Sequence, residues 1–232
     1  MPSLGRRLVA EAIGTFALVF IGGAVVVVNG GFPNSGIGLL GIALAHAVVL
    51  AVMVTATMNI SGGHLNPAVT VGLLVTRRID AGSAVAYIVA QLLAACAAAY
   101  LVKCLMPAMA AEEALYGAPA IASSITLGQA IGLEAVLTFF LVSAVFGTAV
   151  SPEAPKVGGF GIGLVLLFDI LVGGPLTGAT MNPARAFGPA LVAGEWTGHI
   201  AYWVGPITGG IVAAIIWEYV LLPRMPQPST GR

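Results

Sequence analysis

Charge is what this sequence has least of. Only 8% of its 232 residues are Asp, Glu, Lys or Arg, where a soluble domain carries about 25%. Too few charges are available to cover a water-facing surface, which excludes an ordinary soluble globular domain. Net charge at neutral pH is zero, so nothing points to nucleic acid as a partner. There are 2 cysteines, Cys96 and Cys104, too few for a disulfide scaffold; Cys96, in an apolar segment, is expected as a buried free thiol. A cleavable signal peptide is also missing. The first apolar run follows Arg6 and Arg7, but it is long and contains Glu11, so it reads as a retained span. No Ser–His or paired-Asp arrangement has convincing catalytic spacing, so no enzyme activity, cofactor or metal is expected.

What the sequence has in abundance is apolar length. Hydrophobic residues make up 59% of it and the mean hydropathy is +1.02. A helix needs ~20 apolar residues to cross a bilayer, and the pattern predicts six spans. They run over residues 8–28, 37–57, 81–102, 127–150, 159–172 and 199–222. Turn-rich NGGFPNS (29–35) and SPEAPKVG (151–158) separate two pairs of spans, and residues 103–126 form the longest connection. The expected fold class is an all-α membrane protein.

Two stretches interrupt this pattern and resemble one another. SGGHLNPA (61–68) and TGATMNPA (177–184) each join a loop of small residues to Asn-Pro-Ala. Proline suits the first turn of a helix, where its missing N–H costs nothing, and Asn before it is a good N-cap. Asn66, Pro67 and Ala68, and Asn182, Pro183 and Ala184, therefore read as the starts of two half-helices inside an apolar slab. The two Asn lie 116 residues apart, about half the chain. EAIGTFALV from Glu11 has a counterpart in EAVLTFFLV from Glu134, and AYIVA from Ala86 in AYWVG from Ala201. The chain thus divides into a first repeat (1–126) and a second (127–232) within one integral body. Three spans per repeat is an odd number, so the second repeat inserts upside down and the two loops enter from opposite faces. With both termini cytoplasmic, Arg6, Arg7, Arg77, Arg78, Lys156, Arg224 and Arg232 fall inside and only Lys103 and Arg185 do not, as the positive-inside rule requires.

The repeated Asn-Pro-Ala, the two Glu-led spans and Arg185 directly after the second motif resemble the aquaporin (major intrinsic protein) family over nearly the whole chain. That resemblance implies six transmembrane helices with two re-entrant half-helices and a homotetramer with one pore per subunit. It implies roles as well. Asn66 and Asn182 donate to a passing solute where two helix N-termini place positive charge at mid-membrane, which repels cations and protons while water passes. Arg185 lines the narrowest point; a fixed cation at membrane depth ordinarily marks a pathway. Family spacing adds His46, Ile170 and Ala179 to that filter. This set resembles the tonoplast-type subgroup, and ought to leave a wider, half-apolar opening. Loop carbonyls at Gly62, Gly63, His64, Gly178, Ala179 and Thr180 are the expected acceptors. Glu11 and Glu134 are expected to brace the loops, with His64 as a further brace. Asp169, beside Ile170, stands where tonoplast-type channels carry Asn; it needs a partner, which His46 or a neighbouring subunit could supply. No His occurs in 116–124, where some tonoplast-type channels add one to the filter. Gly and Ala pairs on the spans read as close helix packing, and Tyr87, Tyr202, Trp196 and Trp203 as interfacial belts.

The function implied is a passive water channel in contact with the lipid bilayer, closed to ions and protons. The alternative is a broader pore that also passes small neutral solutes, ammonia or hydrogen peroxide. Glycerol facilitators have Asp after the filter Arg, a base four places later and a Pro-Leu-like pair in the last span. Here those positions are Ala186, Ala190 and Tyr202-Trp203. A secondary transporter is the rival from another class, since inverted repeats with broken helices also build those. The short ends favour a prokaryotic inner membrane, with a plant vacuolar membrane as the other setting.

Overall fold

The computed structural model describes residues 2–223, so Arg224 and Arg232 of the charge count lie outside the described residues. The ordered elements are helical. Six are long and apolar enough to cross a membrane: α1 (Leu4–Gly31), α2 (Gly38–Ser61), α4 (Ala81–Leu105), α6 (Leu127–Val145), α7 (Phe160–Thr177) and α9 (Ala201–Ile216). π-type turns extend α6 and α9, at Phe146–Val150 and Trp217–Leu221. Two short helices, α3 (Pro67–Val75) and α8 (Pro183–Ala193), follow the Asn-Pro-Ala motifs. One helix was not expected: α5 (Ala108–Glu113), within the long connection.

The starts of these helices follow from their caps. Asn66 and Asn182 each accept the backbone N–H of the Ala two residues on, at 2.8 and 3.0 Å, with Pro at N1. Asp80 caps α4 by accepting from Ser83 N at 2.8 Å, and these contacts hold its carboxyl below its ordinary value. Thr126 and Gln129 form a reciprocal capping box at α6. The fifth span is longer than its sequence suggests. The expected span ends at Val172, yet α7 continues through Gly173-Gly174-Pro175 to Thr177 and stops at Gly178, which takes φ +82°. Pro is tolerated inside membrane helices because surrounding elements absorb the lost hydrogen bond.

The long helices pack in a continuous series: α4 on α1, α1 on α2, α2 on α7, α7 on α6 and α6 on α9. The half-helices cross over. α3, from the first half of the chain, packs on α9; α8, from the second half, packs on α4. Small residues permit this. A Cβ added at Gly209 would run into the backbone carbonyl of Ala135, so α6 and α9 approach backbone to backbone. The outward faces are apolar: Leu93 is 66% exposed, Leu40 62% and Val85 62%, a surface suited to lipid and not to water. Two expectations fail here. Tyr87 and Tyr202 are each 1% exposed, so neither belongs to an interfacial belt; the Tyr87 hydroxyl donates to the carbonyl of Ser61 at 2.8 Å. Cys96 is a free thiol but only half-buried, on the flank of α4.

The α6–α9 contact yields a test. Gly209→Ala is expected to lower stability by about 1–3 kcal/mol through overpacking, whereas Gly30→Ala, with nothing within 4 Å of the added methyl, is expected to leave it unchanged. Tryptophan fluorescence during thermal unfolding in detergent checks both.

Candidate functional site

Each motif loop is built around a buried carboxylate. Glu11, on α1, is completely buried and gathers four donors: Ser61 Oγ at 2.6 Å and His64 N at 3.0 Å on Oε1, Leu65 N at 2.7 Å and Gln91 Nε2 at 2.8 Å on Oε2. Glu134, on α6, does the same for the second loop. Its Oε1 accepts from Thr177 Oγ1 at 2.7 Å and Thr180 N at 2.9 Å, and its Oε2 from Thr180 Oγ1 at 2.9 Å and Met181 N at 2.7 Å. Four charge-assisted hydrogen bonds replace the lost hydration shell of each carboxylate.

The braces hold strained backbone. Gly62, Gly63 and Leu65 have positive φ in the first loop; Gly178, Ala179 and Met181 do in the second. Leu65 and Met181 both sit at φ +51°, which costs on the order of 1–3 kcal/mol for a residue with a side chain. Both donate their N–H to a brace, so the strained positions are the ones the carboxylates fix. Among the described residues, the carbonyls of Gly62, Gly63, His64, Gly178, Ala179 and Thr180 receive no hydrogen bond. The carbonyls on either side are occupied: Ser61 O by Tyr87, Leu65 O and Met181 O by the motif asparagines.

Those asparagines join the two halves. Asn66 Nδ2 donates to Met181 O at 2.8 Å, and Asn182 Nδ2 to Leu65 O at 2.9 Å. Each Oδ1 caps its own half-helix. One N–H per side-chain amide is thus spent on the opposite loop, and one stays available. The residues sit beside a narrow cavity of about 20 Å³, lined also by Gly63, His64, Thr180, Leu50, Leu141 and Ile162. Its lining is mostly apolar and includes both asparagines.

Two wider spaces lie beyond it. The outer one, about 260 Å³, brings His46, Ile170 and Arg185 together with Gly178 and the Gly117–Ala120 stretch of the long connection. Ala179 does not line this space; it packs against Gly173, with its N–H on Thr177 Oγ1 at 3.1 Å. Arg185 is 8% exposed, and its guanidinium makes no hydrogen bond to any described residue; Nη1 is fully buried and unpartnered. His46 Nδ1 lies 2.9 Å from Ile42 O. A carbonyl only accepts, so Nδ1 carries the proton, and Nε2 is buried against Gly22 with no partner. His46 therefore does not pair with Asp169, whose Oδ2 is buried and unpartnered among the described residues. The inner space, about 450 Å³, is lined by Arg7, Arg78, Asn59, Tyr87 and His64 among others. His64 lines both this space and the central cavity. Its Nδ1 lies 3.1 Å from Thr70 Oγ1, whose own proton goes to Asn66 O, so His64 is the donor and acts as a loop brace.

Several contributors escape a reading of the sequence. Gln91, Thr70, Ser61 and Thr177 complete the braces. Ser61 and Thr177 both stand five residues before a motif Asn, a signal the repeat contains. Gln91 has no such mark.

Residues 1–217 match the family described as Major intrinsic protein. The chain is 45% identical over 228 residues to Aquaporin TIP4-4 of Zea mays, covering 94% of this chain and 88% of that one. It is 44% identical over 233 residues to Aquaporin TIP4-1 of Arabidopsis thaliana, covering 98% and 90%. The crystal structure of the aquaglyceroporin from Plasmodium falciparum superposes with a TM-score of 0.81 at 24% identity, over 94% of this chain and 97% of that one, which establishes the fold.

The braces predict a large effect from a small change. Glu134→Gln puts an amide N–H against the N–H groups of Thr180 or Met181. Stability is expected to fall by about 2–4 kcal/mol and water flow to be lost with loop order. Thermal unfolding and stopped-flow light scattering of the same preparation check the two readouts.

Proposed function

The chain belongs to the major intrinsic protein family, and from that premise we propose how it works as a passive water channel, an integral multi-pass membrane protein and not an enzyme. The observation that carries the mechanism is the buried guanidinium of Arg185, which lines the outer space with His46 and Ile170 and finds no acceptor among the described residues. A cation held with free N–H donors in a narrow passage repels other cations and offers water the hydrogen bonds it lost on entry. Water then moves past Asn66 and Asn182, whose free amide N–H groups lie at the N-termini of α3 and α8. The helix ends add positive partial charge there, so hydronium and metal cations meet a second barrier. Opposite the donors, Leu50, Leu141 and Ile162 give nothing to bind, which keeps transit fast. The unoccupied loop carbonyls, from Gly62 to His64 and from Gly178 to Thr180, serve as the acceptors along the way.

The inverted repeats, 1–126 and 127–232, form one integral body in this reading, and four copies assemble with one pore each, as the family resemblance implies. Arg7 and Arg78 lining one space supports placing that end, with both termini, in the cytoplasm. The membrane proposed is a prokaryotic cell membrane; the plant relatives supply the vacuolar membrane as the alternative.

A second reading rests on Ile170. An apolar side chain opposite Arg185 widens and dries one wall of the filter, which favours small neutral solutes such as ammonia or hydrogen peroxide beside water.

Proteoliposome measurements test both. Fast water flow with low activation energy, without glycerol entry, is the expected result; flow equal to that of empty vesicles would remove the channel reading. Under the second reading, an internal pH rise on adding ammonia is expected in the wild type and lost in His46→Phe.

A further inference from the structure

The inner space has a charge character that water conduction does not require. Its lining includes two arginines, Arg7 and Arg78, and no Asp or Glu. Arg7 is weakly held: Nη2 lies 3.3 Å from Ser83 Oγ, the guanidinium carbon sits 5.8 Å from the centroid of the Tyr87 ring, and Nε is buried with no partner. The nearby acids are committed elsewhere. Glu11 already receives four hydrogen bonds, and Asp80 caps α4 through Ser83. Arg78 gives Nε and one Nη2 N–H to Glu218, at 2.6 and 3.2 Å, in a partly exposed pair. That leaves three N–H groups on Arg78. Asn59 and Tyr87 add polar wall to the same space.

Two guanidinium groups facing one acid-free cavity match an oxyanion of two charges, because each planar fork donates to two oxygens at once. A cavity of about 450 Å³ accommodates phosphate with part of its water. His64 and Val145 line both this space and the central cavity, so they stand where the two meet. We propose that the inner vestibule binds a phosphate-type oxyanion between Arg7 and Arg78, and that the bound anion slows water entry at His64. The anion comes from one of two sources with the same chemistry: dissolved phosphate, or the headgroup of an anionic phospholipid reaching over the rim.

The inference builds on the water-channel reading, so the test separates them. The full-length protein is reconstituted in phosphatidylcholine vesicles, and flow is measured in chloride and in inorganic phosphate of equal ionic strength and osmolarity on both sides. Flow in chloride above empty vesicles secures the channel by itself. Phosphate at millimolar concentration is expected to at least halve that flow. Arg7→Gln and Arg78→Gln, each normalised to its own flow in chloride, are expected to raise the half-effective concentration about tenfold, the loss of ~1.4 kcal/mol of binding. Glu218→Gln, which releases Arg78, is expected to lower it. A second arm uses vesicles containing phosphatidic acid in chloride alone: slowed flow there assigns the headgroup as the source, and normal flow assigns the dissolved ion. Calorimetric titration of the detergent-solubilised protein with inorganic phosphate reads binding even for a variant with poor flow. Equal flow in every arm with no binding heat overturns the inference, as does slowing that persists unchanged in the Arg7→Gln/Arg78→Gln double variant. Binding heat without slowed flow keeps the site and overturns the throttle.

Discussion

Placing a full negative charge in a membrane interior is one of the costliest things a chain can do, and this protein does it twice. The cost is bearable because Glu11 and Glu134 each receive four hydrogen bonds from protein donors. Everything at the centre depends on that exchange. Backbone N–H groups supply half of the donors, so the carboxylates decide where the loop backbone runs. The left-handed residues Leu65 and Met181 would otherwise relax. With the loops fixed, their remaining carbonyls receive no hydrogen bond among the described residues, and the starts of the half-helices are tied to one another through Asn66 and Asn182.

The asparagines then turn two braced loops into one unit. Each caps its own half-helix with Oδ1 and grips the other loop's carbonyl with Nδ2. A single side chain so serves helix initiation and joining of the halves, and keeps one N–H with no partner among the described residues. Arg185 works on the opposite principle. It is positioned through its backbone, which Asn182 caps, while its guanidinium is left without internal partners. Saturated polar groups build the framework, and unsaturated ones line its cavities.

Much of this was legible beforehand. The spans, both half-helices, the bracing glutamates and Arg185 can be read from hydropathy and repetition because they obey strong, local rules: membrane thickness, Pro at N1, scarcity of buried charge. What escaped depends on contacts distant in sequence. Gln91 lies 80 positions from Glu11, and nothing local marks it. Tyr87 and Tyr202 looked like interfacial residues from their places near span ends, but lateral packing buried them. The fifth span is expected to end at Val172, and α7 runs on through Pro175 to Thr177. The tautomer of His46 and the concealment of its Nε2 against Gly22 belong to helix packing alone. So does the lack of a hydrogen bond between His46 and Asp169, one of the two partners considered for that Asp.

The two braces differ in one respect with a consequence for how the molecule is made. The second obtains its fourth donor from Thr180, within the loop itself, whereas the first must wait for Gln91 on α4. Synthesis proceeds from the N-terminus, so while α3 leaves the ribosome, the Glu11 carboxylate is one donor short. Seating α4 completes the first loop. The second loop finds its carboxylate already in place on α6 and closes as soon as it is translated. The grip of Asn66 on Met181 comes later still, since donor and acceptor are 115 positions apart in the chain. A polypeptide released before Met181 therefore holds a finished entrance to a passage whose middle does not yet exist.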